Sequence, residues 1–279
     1  MVSTSPVSHR RGAAFAISRL LTSPTTTPVV NPILLPGIHT PFSVSHVESL
    51  PASSDPSKTA SQSLALLTTL LLNTDPSPML ISTLLNPILV PLYSLLEFLS
   101  DHRGAVYTDP GTKEMVEGLL RTWARVAVTS DATAGWWGVI QGTGGWGLMD
   151  LRNESSFYKE WALRNGELVV EQRSVVRSFL FTFSDLCLCV SRRQSENIPS
   201  LTSLLNPQAV SGNPLQMHPD PVQLVKFLKS VDRKEVSGAL LVRCLNEYSA
   251  LREAGDAVNP LRRALIPRLP FLKSSTDVI

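Results

Sequence analysis

Between residues 61 and 255 apolar side chains recur mostly at helical spacing. Leu64, Leu67 and Leu71 step by three and four behind Ser61, a residue type that caps helices. Asp75-Pro76 predicts a fresh start, with Asp as N-cap and Pro at the first helical position, where its missing N–H costs nothing. Asp109-Pro110 repeats the device, and Met115, Leu119, Trp123 and Val126 then share one helical face. Glu117 and Arg121, four apart, form the expected surface pair of that helix. Asp131 is placed to cap a short helix through Trp136, Trp137 and Ile140. A third Asp-Pro, Asp220-Pro221, opens a helix with Leu224, Val225 and Leu228 inward. Asp232 and Glu235 then read as a capping box for a helix striped by Val236, Leu240, Cys244, Tyr248 and Leu251, ending at Gly255.

Other stretches break this rhythm. Residues 1–60 are rich in Pro, Ser and Thr and predict a largely disordered lead-in. Within them Asn31-Pro-Ile-Leu-Leu-Pro36 is echoed by Asn86-Pro-Ile-Leu-Val-Pro91, and Leu84-Leu-Asn-Pro87 by Leu204-Leu-Asn-Pro207. The first spacing exceeds the roughly 40–47 residues of HEAT and armadillo pairs, so any repeat is degenerate. Residues 167–193 are β-branched and aromatic, and periodicity does not decide there between a strand pair and a buried helix. With no convincing alternating strand, the fold class expected is all-α: a HEAT/armadillo-like helical-repeat (α-solenoid) fragment with an irregular insert. Its divisions are the lead-in 1–60, a helical-repeat segment 61–150, the insert 151–214, a helical hairpin 215–256 and a basic, Pro-containing tail 257–279.

Charge sharpens this picture. Only 17% of the 279 residues are charged, against about a quarter in an ordinary domain, and residues 1–100 hold just eight of them. The net charge of +2 gives no global field to gather nucleic acid, so none is expected as a partner. Leu80–Leu99 is long enough to span a bilayer, but Asn86, Pro87, Pro91 and Glu97 interrupt it. We read it as a buried helix kinked or divided by its prolines. Residues 1–47 carry Arg10, Arg11 and Arg19 without an acid, which leaves open a mitochondrial leader beside the plainer lead-in.

Candidate chemistry is sparse. Gly142-Thr-Gly-Gly-Trp-Gly147 satisfies G-x-G-x-x-G, which binds a dinucleotide only between a strand and a helix, with an acid about 20 residues on. Trp136–Gln141 could supply the strand, Phe157–Arg164 the helix and Glu167 the acid, although Trp146 would crowd the phosphates. The plainer reading is a glycine-rich linker. The five histidines are scattered, Cys187-x-Cys189 is too close for a zinc half-site, and no nucleophile elbow or Walker loop occurs. No catalytic residue, cofactor or metal is expected. Trp123 fits a core position, and the other four tryptophans could be core or an aromatic recognition patch. The interaction candidates are Lys226, Lys229, Arg233 and Lys234, crowded on one hairpin turn, where an acidic partner segment would dock if the turn is more than a solvated surface.

The string Asp220–Tyr248, with Asp109–Arg125 and Trp137–Trp146, resembles a fungal family of RNA polymerase II assembly and nuclear-import factors related to animal transport-and-Golgi-organisation proteins. The resemblance covers residues 61–150 and 215–255. It implies a non-enzymatic solenoid adaptor, cytoplasmic or nuclear, whose partners are polymerase subunits and import factors, with a membrane or secretory-organisation role as the alternative. Family members are longer, so it also implies a partial or truncated chain; residues 151–210 and the tail after Gly255 depart from the pattern, and a retained intron or misjoined exon is expected near 167–195.

Overall fold

The computed structural model describes residues 6–43, 59–100, 110–146, 157–174 and 219–253. These residues are mostly helical, with one two-stranded sheet. In order they form α1 (Val7–Thr22), α2 (Thr27–His39), a 3₁₀ turn at Thr40–Phe42, α3 (Ala60–Leu72), α4 (Pro78–Leu85), a 3₁₀ turn at Asn86–Ile88 and α5 (Leu89–Ser100). Next come α6 (Pro110–Val126), α7 (Thr129–Gln141), strands β1 (Phe157–Arg164) and β2 (Glu167–Ser174), then α8 (Pro221–Val231) and α9 (Lys234–Glu253).

The centre of the molecule is the apolar run of α4 and α5. Pro87 cannot donate to a helical ladder, and the chain tightens into the 3₁₀ turn there, dividing the run as expected. Leu80, Ile81, Leu84, Leu85, Leu89 and Leu92 are buried. Asn86 is accommodated because its Oδ1 accepts from Trp123 Nε1 at 2.6 Å. Helix α6 packs on α3, α4 and α5, and α7 packs on α5. Rings from four helices meet at Trp136, whose centroid lies 5.7 Å from Tyr93, 5.5 Å from Trp123 and 5.4 Å from Phe227. The Tyr93 and Trp123 contacts are edge-on and that of Phe227 is tilted, and such aromatic pairs stabilise beyond their area burial. Trp137 is buried too, under the Arg243 guanidinium at 4.7 Å.

Several local expectations are corrected. Residues 7–42, read as disordered, are helical. Leu21, Ile38 and Phe42 supply enough burial, and hydroxyls close the α1–α2 turn: Thr26 Oγ1 donates to Leu20 O at 2.7 Å and Thr27 Oγ1 to Ser23 O at 2.7 Å. His39 Nε2 lies 2.9 Å from Leu84 O, tying α2 to α4. Burial pushes its imidazole pKa below the ordinary value, the Leu84 bond opposing, which favours the neutral ring. Helix α3 is capped by Thr59 in a box with Gln62 rather than by Ser61, and α4 by Ser77-Pro78 rather than Asp75-Pro76. Asp131 lies inside the first turn of α7, where it accepts from Ser82 Oγ at 3.2 Å. Asp232 is the left-handed C-cap of α8 (φ 56°), not the N-cap of α9. Leu251 and Gly255 contribute no described side chain.

The largest correction is Phe157–Ser174, an antiparallel hairpin inside the supposed irregular insert. Asn165 and Gly166 both adopt positive φ, the geometry of a tight hairpin turn. One face places Trp161 opposite Val170 and Leu163 opposite Leu168. Trp161, Val170 and Leu168 are buried against α3, α5 and the first 3₁₀ turn, and Trp161 Nε1 donates to Pro91 O at 2.9 Å. The other face opposes Glu160 to Glu171, offset by Arg173 at 2.6 Å and Arg164 at 3.1 Å. Start of the presumed misjoined stretch though it is, β2 is integrated into the core. The rest of that stretch, with the Cys187-x-Cys189 pair and the Leu204 echo, lies outside the described residues.

Gly135 lies where α7 crosses α5 and α6. A Cβ there would sit 2.6 Å from Leu89 Cδ2 and 2.7 Å from the Trp123 ring. Gly135→Ala gains about 1 kcal/mol of helix propensity but overpacks a ring fixed on all sides, at about 1–3 kcal/mol. Urea unfolding is expected to show a net loss of stability, whereas Gly118→Ala, which meets nothing within 4 Å, gains.

Candidate interaction surface

Helix α8 begins because Asp220 accepts from Val222 N–H at 2.9 Å and Pro221 follows. The Asp220 N–H in turn donates to Glu97 Oε1, a buried carboxylate on α5. A hydrogen bond spanning 123 residues of sequence, on the N-cap N–H of α8, thus fixes the hairpin to the body. Tyr93, one turn before Glu97, has its phenol pKa pushed far above the ordinary range by burial first, then by the Glu97 and Asp220 charges. These groups border a dent lined by Val90, Tyr93, Ser94, Glu97, Val139, Trp146 and Pro219. Its volume is about 10 Å³, the space of about one water.

The four basic candidates separate. Lys226, Lys229 and Lys234 are exposed, around the α8–α9 turn. Arg233 is not a free surface group. Its Nη1 donates to Ala124 O at 3.1 Å and Ala127 O at 2.6 Å, its Nη2 to Thr129 Oγ1 at 2.9 Å, and its Nε to Glu235 at 2.6 Å. The guanidinium therefore satisfies carbonyls left open at the C-terminus of α6, where positive charge is favoured. Glu235 pKa is lowered, first by its hydrogen bond from Arg233. Sequence reading missed this role because the partners lie more than 100 residues away.

Helix α9 docks on α7 through Val236, Leu240 and Cys244, the predicted stripe. Burial pushes the Cys244 thiol pKa up, which disfavours the reactive thiolate. The opposite face presents Gly238, Val242, Leu245 and Ser249, all exposed and spaced by four, three and four. Val242 is 57% and Leu245 55% exposed. This is the spacing of a seam for another helix, with the two large apolar residues, Val242 and Leu245, between two small ones, Gly238 and Ser249.

The glycine loop is a helix terminus. Trp136–Gln141 is helix rather than strand, and Gly142 (φ 63°) is its left-handed C-cap. The Gly142 N–H donates to Val139 O, Thr143 N–H to Gly138 O and Trp146 N–H to Gly142 O, so these amides are already used. Lys159 N–H then donates to Gly145 O at 2.6 Å, joining the loop to β1. Phe157–Arg164 is strand rather than helix, so the strand–loop–helix context of dinucleotide binding is not met; Gly147 itself lies outside the described residues. All five tryptophans are buried, which removes them as a recognition patch. Among the described residues no cluster of His, Cys, Asp and Glu could hold a metal ion. No protein-family model matches the chain, and no curated protein or solved structure matches it.

Removing Arg233 leaves two described carbonyls short of a charged donor. Arg233→Ala is expected to lower stability by about 2–3 kcal/mol in urea melts. Arg233→Lys should recover less than half, since an ammonium lacks the planar fork. Lys226→Ala and Lys229→Ala should stay within about 0.5 kcal/mol.

Proposed function

We propose that the chain is a non-enzymatic helical adaptor of the HEAT/armadillo type, serving RNA polymerase II assembly and nuclear import in cytoplasm and nucleus. The observation that carries the reading is the outward face of α9, an apolar seam on a helix already packed on its other side. A helix apolar on two faces suits a stack or a partner helix on each. Exposed Lys226, Lys229 and Lys234 near the start of this seam favour a partner helix with an acidic end. The resemblance of Asp220–Tyr248 to the polymerase-assembly family supports the choice of partners, since that string contains the basic turn and the seam residues Gly238, Val242 and Leu245.

The test is a pull-down with the full chain, probed for polymerase II subunits and import factors. Each seam residue buried by a partner is worth about 1.5–3 kcal/mol, so Val242→Glu with Leu245→Glu should cut retention by more than about tenfold. Both side chains are exposed, so circular dichroism should be unchanged. Recovery of neither partner class by the unaltered chain contradicts the proposal.

A further inference from the structure

The outward face of α2 carries Pro28, Val29, Pro32, Ile33 and Pro36, every one exposed. Val29 is 65% and Ile33 70% exposed, and on the neighbouring α1 Phe15 is 61% exposed. Water-facing helices ordinarily set polar side chains on this side, and monomers seldom expose so continuous an apolar strip. Helices α1 and α2 pack against each other and against the body through Ala14, Leu21 and Ile38, so the strip is the pair's outer side.

Charge selects the occupant. Residues 6–43 contain Arg10, Arg11 and Arg19 and no acidic residue, although residues 1–100 are otherwise charge-poor. Arg11 and Arg19 are exposed, and Arg19 lies 5.9 Å from the centre of the Phe15 ring. Among the described residues none of the three is held in an ion pair. An exposed apolar ridge on α2, with exposed guanidiniums on the adjoining α1 and no acidic residue in either helix, fits the boundary between headgroups and acyl chains of an anionic bilayer. The prolines set the depth: Pro32 and Pro36 have no N–H to give to carbonyls four residues back, and such carbonyls need water or headgroups. The ridge therefore suits an in-plane position, not a span.

We propose that α1 and α2 form a peripheral docking surface for anionic membranes, independent of the α9 seam. The experiment is co-sedimentation of the full chain with phosphatidylcholine vesicles, with and without phosphatidylserine. The chain should sediment with phosphatidylserine vesicles and be released by salt. Val29→Asp with Ile33→Asp, and separately Arg11→Ala with Arg19→Ala, should each weaken binding by about tenfold or more while circular dichroism stays the same. Absence of sedimentation, equal binding to neutral vesicles, or binding indifferent to both double variants overturns the proposal. So does a dimer in sedimentation velocity that Val29→Asp with Ile33→Asp dissolves, since a second copy would then own the ridge.

Discussion

The packing of Trp136 against Tyr93, Trp123 and Phe227 is the contact on which the rest depends. It joins α5, α6, α7 and α8, elements drawn from residues 93 to 227, at one buried point. Each ring comes from a different helix, so no pair of helices can shift without disturbing ring contacts at the others. Close approach of α7 is possible because Gly135 leaves room for the Trp123 ring and Leu89. Two polar fastenings then orient the hairpin around this point. Glu97 holds the start of α8, and Arg233 holds the turn before α9 against the end of α6. Apolar burial supplies the driving force, while these directional bonds select one docking angle.

That arrangement explains which parts of the fold were readable. The leucine spacing of α3 and the Met115–Val126 face of α6 give their helices directly, because burial on one side imposes a 3.6-residue period. The proline-bearing segments mislead in both directions. Pro87 divides a helix as expected, yet Pro32 and Pro36 lie inside α2, on its outer side, where the absent N–H exposes carbonyls to solvent rather than to the core. The β hairpin was missed although Asn165-Gly166 is a strong turn signal; Leu168 and Val170 alternate inward, but neighbouring Val169 blurs the period. Caps were read two or three residues off in α3, α4 and α7, since several Ser, Thr and Asp compete near each start.

The candidate surface was legible in part. Lysine positions 226, 229 and 234 are solvent-facing, as any charge-rich turn suggests. Arg233 differs because its function is set by carbonyls brought close only after folding. Likewise Glu97, the one acid that interrupts the apolar run of residues 80–99, has a structural use that spacing does not reveal. The low charge of residues 1–100 divides into two causes: α4 and α5 are buried in the body, and α2 turns a bare apolar ridge outward.

If the aromatic junction holds the distant hairpin to the body, Trp136 and Phe227 must be energetically coupled. A double-mutant cycle in urea, using Trp136→Leu and Phe227→Leu, measures this most directly. The structure predicts a coupling of about 0.5–1.5 kcal/mol. Strict additivity of the two losses, within about 0.3 kcal/mol, would contradict a junction that ties α8 to α7.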